Sequence, residues 1–124
     1  MRFVVDAEIP FAAALLAPHG EVNTLPGREI DRAALATADA LWVRTTVRVD
    51  AALLAGTPVR FVGTVTSGTD HLDTAWLDAQ GIAWAAAPGA NAGAVALWWA
   101  AAVATVARRE GRPLAGRRVG VVGV

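Results

Sequence analysis

The sequence predicts the α/β class, a doubly wound parallel sheet, from three observations. Short apolar runs alternate with alanine-rich segments. Those segments open at Asp, Asn or Pro and stop at Gly, the punctuation of helices. Strands alternating with helices of this length imply parallel strands covered on both faces. At 124 residues the chain suits one small domain, which should bury roughly two thirds of its unfolded surface.

The elements follow in order. Phe3-Val4-Val5 is the first strand. Pro10 suits a first helical turn, so Phe11 to Ala17 is expected as a helix, closed by Pro18 and Gly20. Glu21 to Leu25 is a second strand, ended by the Pro26-Gly27 turn. Asp31 is a good N-cap for a helix over Arg32 to Ala38, and Ala40-Leu41-Trp42-Val43 follows as a strand. Asp50 caps Ala51 to Ala55, Gly56 stops that helix, and Val59 to Val62 is the next β run. Asp73 starts Thr74 to Ala79, Gly81 ends it, and Ile82 to Ala86 is a further strand. Asn91 can cap a long helix through Arg108, and Arg118 to Val122 is a last strand.

Composition removes several chemistries. All eleven basic residues are Arg, and Lys, Cys and Tyr are absent, which excludes Schiff-base lysines, thiol nucleophiles, disulfides and Cys-ligated zinc. No metal site is expected. Zero net charge argues against a dedicated nucleic-acid binder, and an Arg-rich stretch around Glu110 to Gly116 reads as a solvated linker. The start, Met1-Arg2 followed by Asp6 and Glu8, does not look like a targeting signal. Ala92 to Ala107 is uncharged but falls short of the about 20 apolar residues a spanning helix needs, so it is expected as a buried helix. Trp98-Trp99 point about 100° apart there, which suits burial on several sides or a domain or subunit contact.

Ligands of open parallel sheets bind beyond the carboxyl ends of the strands. Two such ends are polar in the same way: Ala40 to Val43 runs into Arg44-Thr45-Thr46, and Val59 to Val62 runs into Gly63-Thr64-Val65-Thr66-Ser67-Gly68-Thr69-Asp70. If the strands are neighbours, a guanidinium, several hydroxyls and a Gly-rich backbone share one crevice fit for an anion. The plainer alternative is that Thr and Ser cap the next helix and Arg44 pairs with a carboxylate. Asp70 and Asp73 could be an acid and base pair, though their spacing is also ordinary capping, and His71 has no evident catalytic partner. Val119-Gly120-Val121-Val122-Gly123-Val124 resembles the first strand of a dinucleotide-binding unit, with Gly123 as the first glycine of its fingerprint.

These stretches carry a resemblance. Val5-Asp6-Ala7-Glu8-Ile9-Pro10, Leu25-Pro26-Gly27-Arg28, Ala40-Leu41-Trp42-Val43-Arg44-Thr45, Ser67-Gly68-Thr69-Asp70-His71-Leu72-Asp73, Pro88-Gly89-Ala90-Asn91 and the Gly120 to Gly123 run are collinear with the N-terminal part of the D-isomer-specific 2-hydroxyacid dehydrogenases. Within them the sequence looks like the branch that acts on 4-phospho-D-erythronate. The resemblance covers all 124 residues and implies a flavodoxin-like substrate domain over 1–91, an interdomain helix and linker over 92–116, and the start of a truncated NAD-binding Rossmann domain over 117–124. It implies NAD-dependent oxidation of the phosphorylated 2-hydroxy acid to 2-oxo-3-hydroxy-4-phosphobutanoate in cytoplasmic pyridoxal 5'-phosphate biosynthesis, by a homodimer. Substrate contacts fall on Thr45 and Thr66, with Arg44, Ser67 and Gly68 as neighbours, and Gly123 would contact the cofactor. The family's catalytic residues lie further along, so none is expected here and the fragment alone should be inactive. Leu97 stands where relatives commonly carry Glu. Another 2-hydroxy acid such as 3-phosphoglycerate, or a non-catalytic anion-binding module, are the alternatives.

Overall fold

The computed structural model describes residues 1–120. It divides into two compact units, Met1–Pro88 and the residues from Gly89 onward.

The first unit is built on five strands: β1 (Arg2–Asp6), β2 (Glu21–Leu25), β3 (Ala40–Val43), β4 (Phe61–Thr64) and β5 (Ala83–Ala85). All are parallel, in the order β2-β1-β3-β4-β5, which is the doubly wound arrangement the alternation implied. Side chains of a strand alternate between faces, so the three central strands β1, β3 and β4 serve two cores. Val4, Leu41, Val43 and Val62 join the larger one with Leu35, Leu54 and Leu77. Phe3, Val5 and Ala40 join the smaller with Ile9 and Ala12. On that second face Trp42 lies against Phe61, ring centroids 5.7 Å apart, and crosses Gly63. A Cβ at Gly63 would sit 2.6 Å from the Trp42 ring, so only glycine lets the indole pass. Trp42 Nε1 is buried with no partner among the described residues.

Helices α1 (Ala12–Leu16), α2 (Ala51–Leu54) and α3 (Thr74–Ala79) connect the strands. The caps are the expected ones for α2 and α3: Asp50 accepts from the Leu53 N–H and Asp73 from the Trp76 N–H. Helix α1 is shorter than expected. Phe11 stands before it in the left-handed region (φ 62°), and Ala17–His19 continue it as a 3₁₀ turn.

Three expectations are corrected. Arg32 to Ala38 is not a helix: Asp31 does accept from the Ala34 N–H, but the segment makes mainly i to i+3 bonds. Its end is pulled into the sheet, where Asp39 donates to the Arg2 carbonyl and accepts from the Arg2 N–H, leaving no length for a second turn. The fourth strand begins at Phe61 instead of Val59 and runs on to Thr64, which pairs with Val43. Arg118 to Gly120 are not in a strand, while Val121, Val122 and the Gly123 fingerprint position lie outside the described residues.

The second unit contains α4 (Ala92–Arg109), for which Asn91 supplies the position but no side-chain cap. The helix was expected to be buried, yet none of its residues is. Leu97 and Trp98 are 74% and 71% exposed. Within its own unit, among the described residues, the chain through Pro113 and Leu114 returns to its C-terminal half and lines with it an open, mostly apolar cavity of about 390 Å³. No helix among the described residues is long and apolar enough to cross a membrane.

Candidate functional site

Strands β1, β3 and β4 are adjacent, so the segments leaving their carboxyl ends meet at one edge of the sheet. Two clusters form there.

The first is ionic. Asp6 ends β1 and is fully buried, and its Oδ1 accepts from the Glu8 N–H at 3.1 Å. Its Oδ2 accepts from Arg44 Nε at 3.1 Å and lies 3.5 Å from the Thr46 hydroxyl. The Arg44 Nη2 pairs with the Glu8 carboxylate. The guanidinium expected to face an anion is thus committed to two carboxylates. The Gly27 Cα packs close by: a Cβ there would lie 3.1 Å from both Asp6 Oδ2 and the Thr46 hydroxyl.

The second cluster is a chain of neutral groups. Thr64 ends β4 with 2% exposure, and its hydroxyl lies 2.9 Å from His71 Nε2 and 2.8 Å from the Thr66 hydroxyl. Thr66 donates to the Gly68 carbonyl at 3.0 Å. The backbone of His71 is anchored independently, since Val49 donates to its carbonyl at 2.8 Å. Burial pushes the His71 pKa below its ordinary 6.5, with the Asp70 charge opposing. The Ser67 hydroxyl turns to the Ala87 carbonyl at 3.4 Å, beside the bond from Ala87 N–H to Thr66.

Between these loops lies an open cavity of about 450 Å³, lined by Thr45, Thr46, Arg48, Gly68, Asp70 and His71. Of the expected site residues, Thr45 and Gly68 face it together. Thr66 reaches its wall through the Gly68 carbonyl, Arg44 turns to Asp6 and Glu8, and Ser67 turns to Ala87. Arg48 was not anticipated as a cavity residue; its guanidinium is exposed and lies 3.4 Å from Asp50. Thr64 was also missed, because it reads as the first polar residue after an apolar run, although the strand includes it. Asp70 and Asp73 are not a pair, since Asp73 caps α3.

An anion in this cavity would meet exposed hydroxyls, a glycine backbone and one guanidinium, with the Asp70 carboxylate also on the wall, at the sheet's carboxyl edge, the location where such folds bind ligands. The family model for the D-isomer specific 2-hydroxyacid dehydrogenase catalytic domain matches residues 4–97. The chain belongs to the D-isomer specific 2-hydroxyacid dehydrogenases. Among its relatives, erythronate-4-phosphate dehydrogenase of Salmonella arizonae is 49% identical over 124 residues, covering 100% of this chain and 33% of that protein. The same enzyme of Pseudomonas syringae is 52% identical over 123 residues, 99% of this chain and 32% of that one. The chain therefore spans about a third of the length of the curated relatives it matches.

Solved 2-hydroxyacid dehydrogenase folds agree. D-lactate dehydrogenase of Aquifex aeolicus, complexed with NAD and lactic acid, superposes with a TM-score of 0.61 at 14% identity, over 71% of this chain and 28% of that one. The pyruvate reductase of Chlamydomonas reinhardtii gives 0.57 at 20%, over 100% and 41%. At such identities the likeness is one of fold. As for the dinucleotide, the described residues do not form its cradle: Arg118 to Gly120 are irregular, and Gly123 lies outside the description.

Proposed function

We propose that this chain is the substrate-binding part of an NAD-dependent dehydrogenase that oxidises the 2-hydroxyl of 4-phospho-D-erythronate to 2-oxo-3-hydroxy-4-phosphobutanoate. The observation that carries the reading is the cavity at the carboxyl ends of β3 and β4, where Thr45, Thr46, Arg48 and the Gly68 backbone converge. The 49% to 52% identity to erythronate-4-phosphate dehydrogenases supports this acid over 3-phosphoglycerate. In this reading Thr45 and Thr66 hydroxyls donate to the substrate, Arg48 supplies positive charge, and Ser67 and Gly68 shape the loop. Arg44 acts from behind, holding the Thr45-Thr46 segment through Asp6.

The reading extends to the organisation of the enzyme. Residues 1–91 are assigned to the substrate domain, which the compact unit Met1–Pro88 supports. Residues 92–116 are the interdomain helix and linker, and 117–124 begin the NAD-binding domain with Gly123 as its first fingerprint glycine. The enzyme works as a homodimer in cytoplasmic pyridoxal 5'-phosphate synthesis, a setting compatible with a chain free of cysteine. Hydride transfer needs the coenzyme's reactive carbon placed against the substrate, so turnover requires residues additional to these.

Calorimetry tests the site. The chain should bind 4-phospho-D-erythronate more tightly than 3-phosphoglycerate, without reducing NAD. Thr45→Ala should weaken binding about tenfold, the loss of one hydrogen bond to a charged group. Equal affinity in the variant would overturn the site, preference for 3-phosphoglycerate would overturn the substrate, and NAD reduction by the chain would overturn the division of labour.

A further inference from the structure

The chain of hydroxyls behind the cavity has a direction, and proton counting determines it. A threonine hydroxyl has one proton to donate, and a carbonyl oxygen can only accept. Thr66 donates to the Gly68 carbonyl, so across the 2.8 Å contact its oxygen accepts from Thr64. Thr64 has then used its proton, and across the 2.9 Å contact it accepts from His71. His71 Nε2 therefore carries a hydrogen. The whole sequence runs from the imidazole N–H through Thr64 to Thr66 and outward to the loop.

Reversal would change what the far end offers. If Nε2 held a lone pair, Thr64 would donate to it and Thr66 would donate inward to Thr64. The Gly68 carbonyl would lose its donor, and the outer side of Thr66 would show only lone pairs. With the deduced polarity the Thr66 oxygen stays held by Thr64 while its proton points outward, on Gly68 when the cavity is empty and available to a ligand when it is filled. At the near end Thr64 and His71 are both buried, so each needs the other as its partner whichever way the bond runs, and the direction is set from the Gly68 carbonyl.

We propose that His71 is a positioning residue for anion binding: through Thr64, its Nε2–H keeps the Thr66 hydroxyl proton directed outward, where a carboxylate or phosphate needs a donor. This rests on the reading of the cavity as the substrate site. It gives the buried imidazole a role that does not require it to touch the substrate or to exchange a proton.

The test joins a direct observation to a mutant cycle. Imidazole ¹⁵N shifts of the unsubstituted chain should show His71 protonated at Nε2; a neutral ring protonated at Nδ1 would overturn the proposal without any variant. For 4-phospho-D-erythronate binding, His71→Leu and Thr64→Val should each weaken affinity about tenfold, the scale of one misdirected hydrogen bond. The double variant should be no weaker than either alone, because both cut the same chain. His71→Gln, which keeps an N–H donor, should recover most of the loss. Additive losses, or no recovery with Gln, would overturn the relay. Should the unsubstituted chain fail to bind this acid, the substrate reading falls, and the ring tautomer alone then decides the polarity of the chain.

Discussion

At the ends of β1 and β3 the chain pairs its charges with one another, whereas at the end of β4 it lines up hydroxyls and an imidazole. Both clusters occupy the same sheet edge, and both hold a loop beside the cavity. The ionic one is anchored by Asp6, fully buried and satisfied on both oxygens, with Arg44 and Glu8 closing over it. Such a cluster is held by its buried pair, since removing Asp6 or Arg44 strands the other. The neutral one can turn its last proton from a backbone carbonyl to a ligand without uncovering a buried charge. The difference separates holding from binding. It also explains why Arg44, the most conspicuous cation in the sequence pattern, faces away from the cavity while exposed Arg48 faces it.

Breaking the ionic cluster should have the largest effect. Asp6→Ala leaves Arg44 without its buried partner and the Glu8 N–H without an acceptor, and should cost about 3 kcal/mol. Glu8→Ala removes a carboxylate that is 70% exposed and should cost less than about 1 kcal/mol. Urea midpoints compare the two, and equal losses would refute the claim that the buried carboxylate is the anchor. A smaller contrast sharpens the same point with two glycines. Gly27→Ala pushes a methyl to 3.1 Å from Asp6 and Thr46 and should cost about 1–2 kcal/mol. A Cβ at Gly68 meets nothing within 4 Å, so Gly68→Ala should stay within about 0.5 kcal/mol.

Much of this frame was legible in the residues. The apolar run Ala40 to Val43 could only be a short strand, and the Asp73 and Gly81 bracket marks α3 because one supplies a cap and the other a left-handed stop. The same logic misled at Asp31, where the cap is real but the pull of Asp39 into register with Arg2 ends the turn early. That bond joins residues 37 apart, and no local pattern contains it. The site was legible in the same partial way. Thr45 and Gly68 follow from the rule about strand ends, but the partner of Arg44 lies on another strand, and Thr64 looks like loop until its register with Val43 is known. Burial of α4 was misjudged because an alanine-rich helix with two adjacent tryptophans has no single apolar face, and hydrophobicity alone does not say what covers it.

The neutral cluster should also show itself through pH, with the smallest effect of the three. Burial lowers the His71 pKa in the folded chain, and Asp70 offsets part of that shift. The unfolded chain then takes up the proton first as pH falls. Stability contributed by His71 is therefore fully present above the ordinary value of 6.5 and declines as pH drops through it toward the lower folded value. Unfolding midpoints measured between about pH 7 and pH 5 should fall in the unsubstituted chain and flatten in His71→Gln, which has nothing to protonate there. A slope that survives the substitution would show that His71 is not its source, and a rise in stability on acidification would mean that Asp70 outweighs burial.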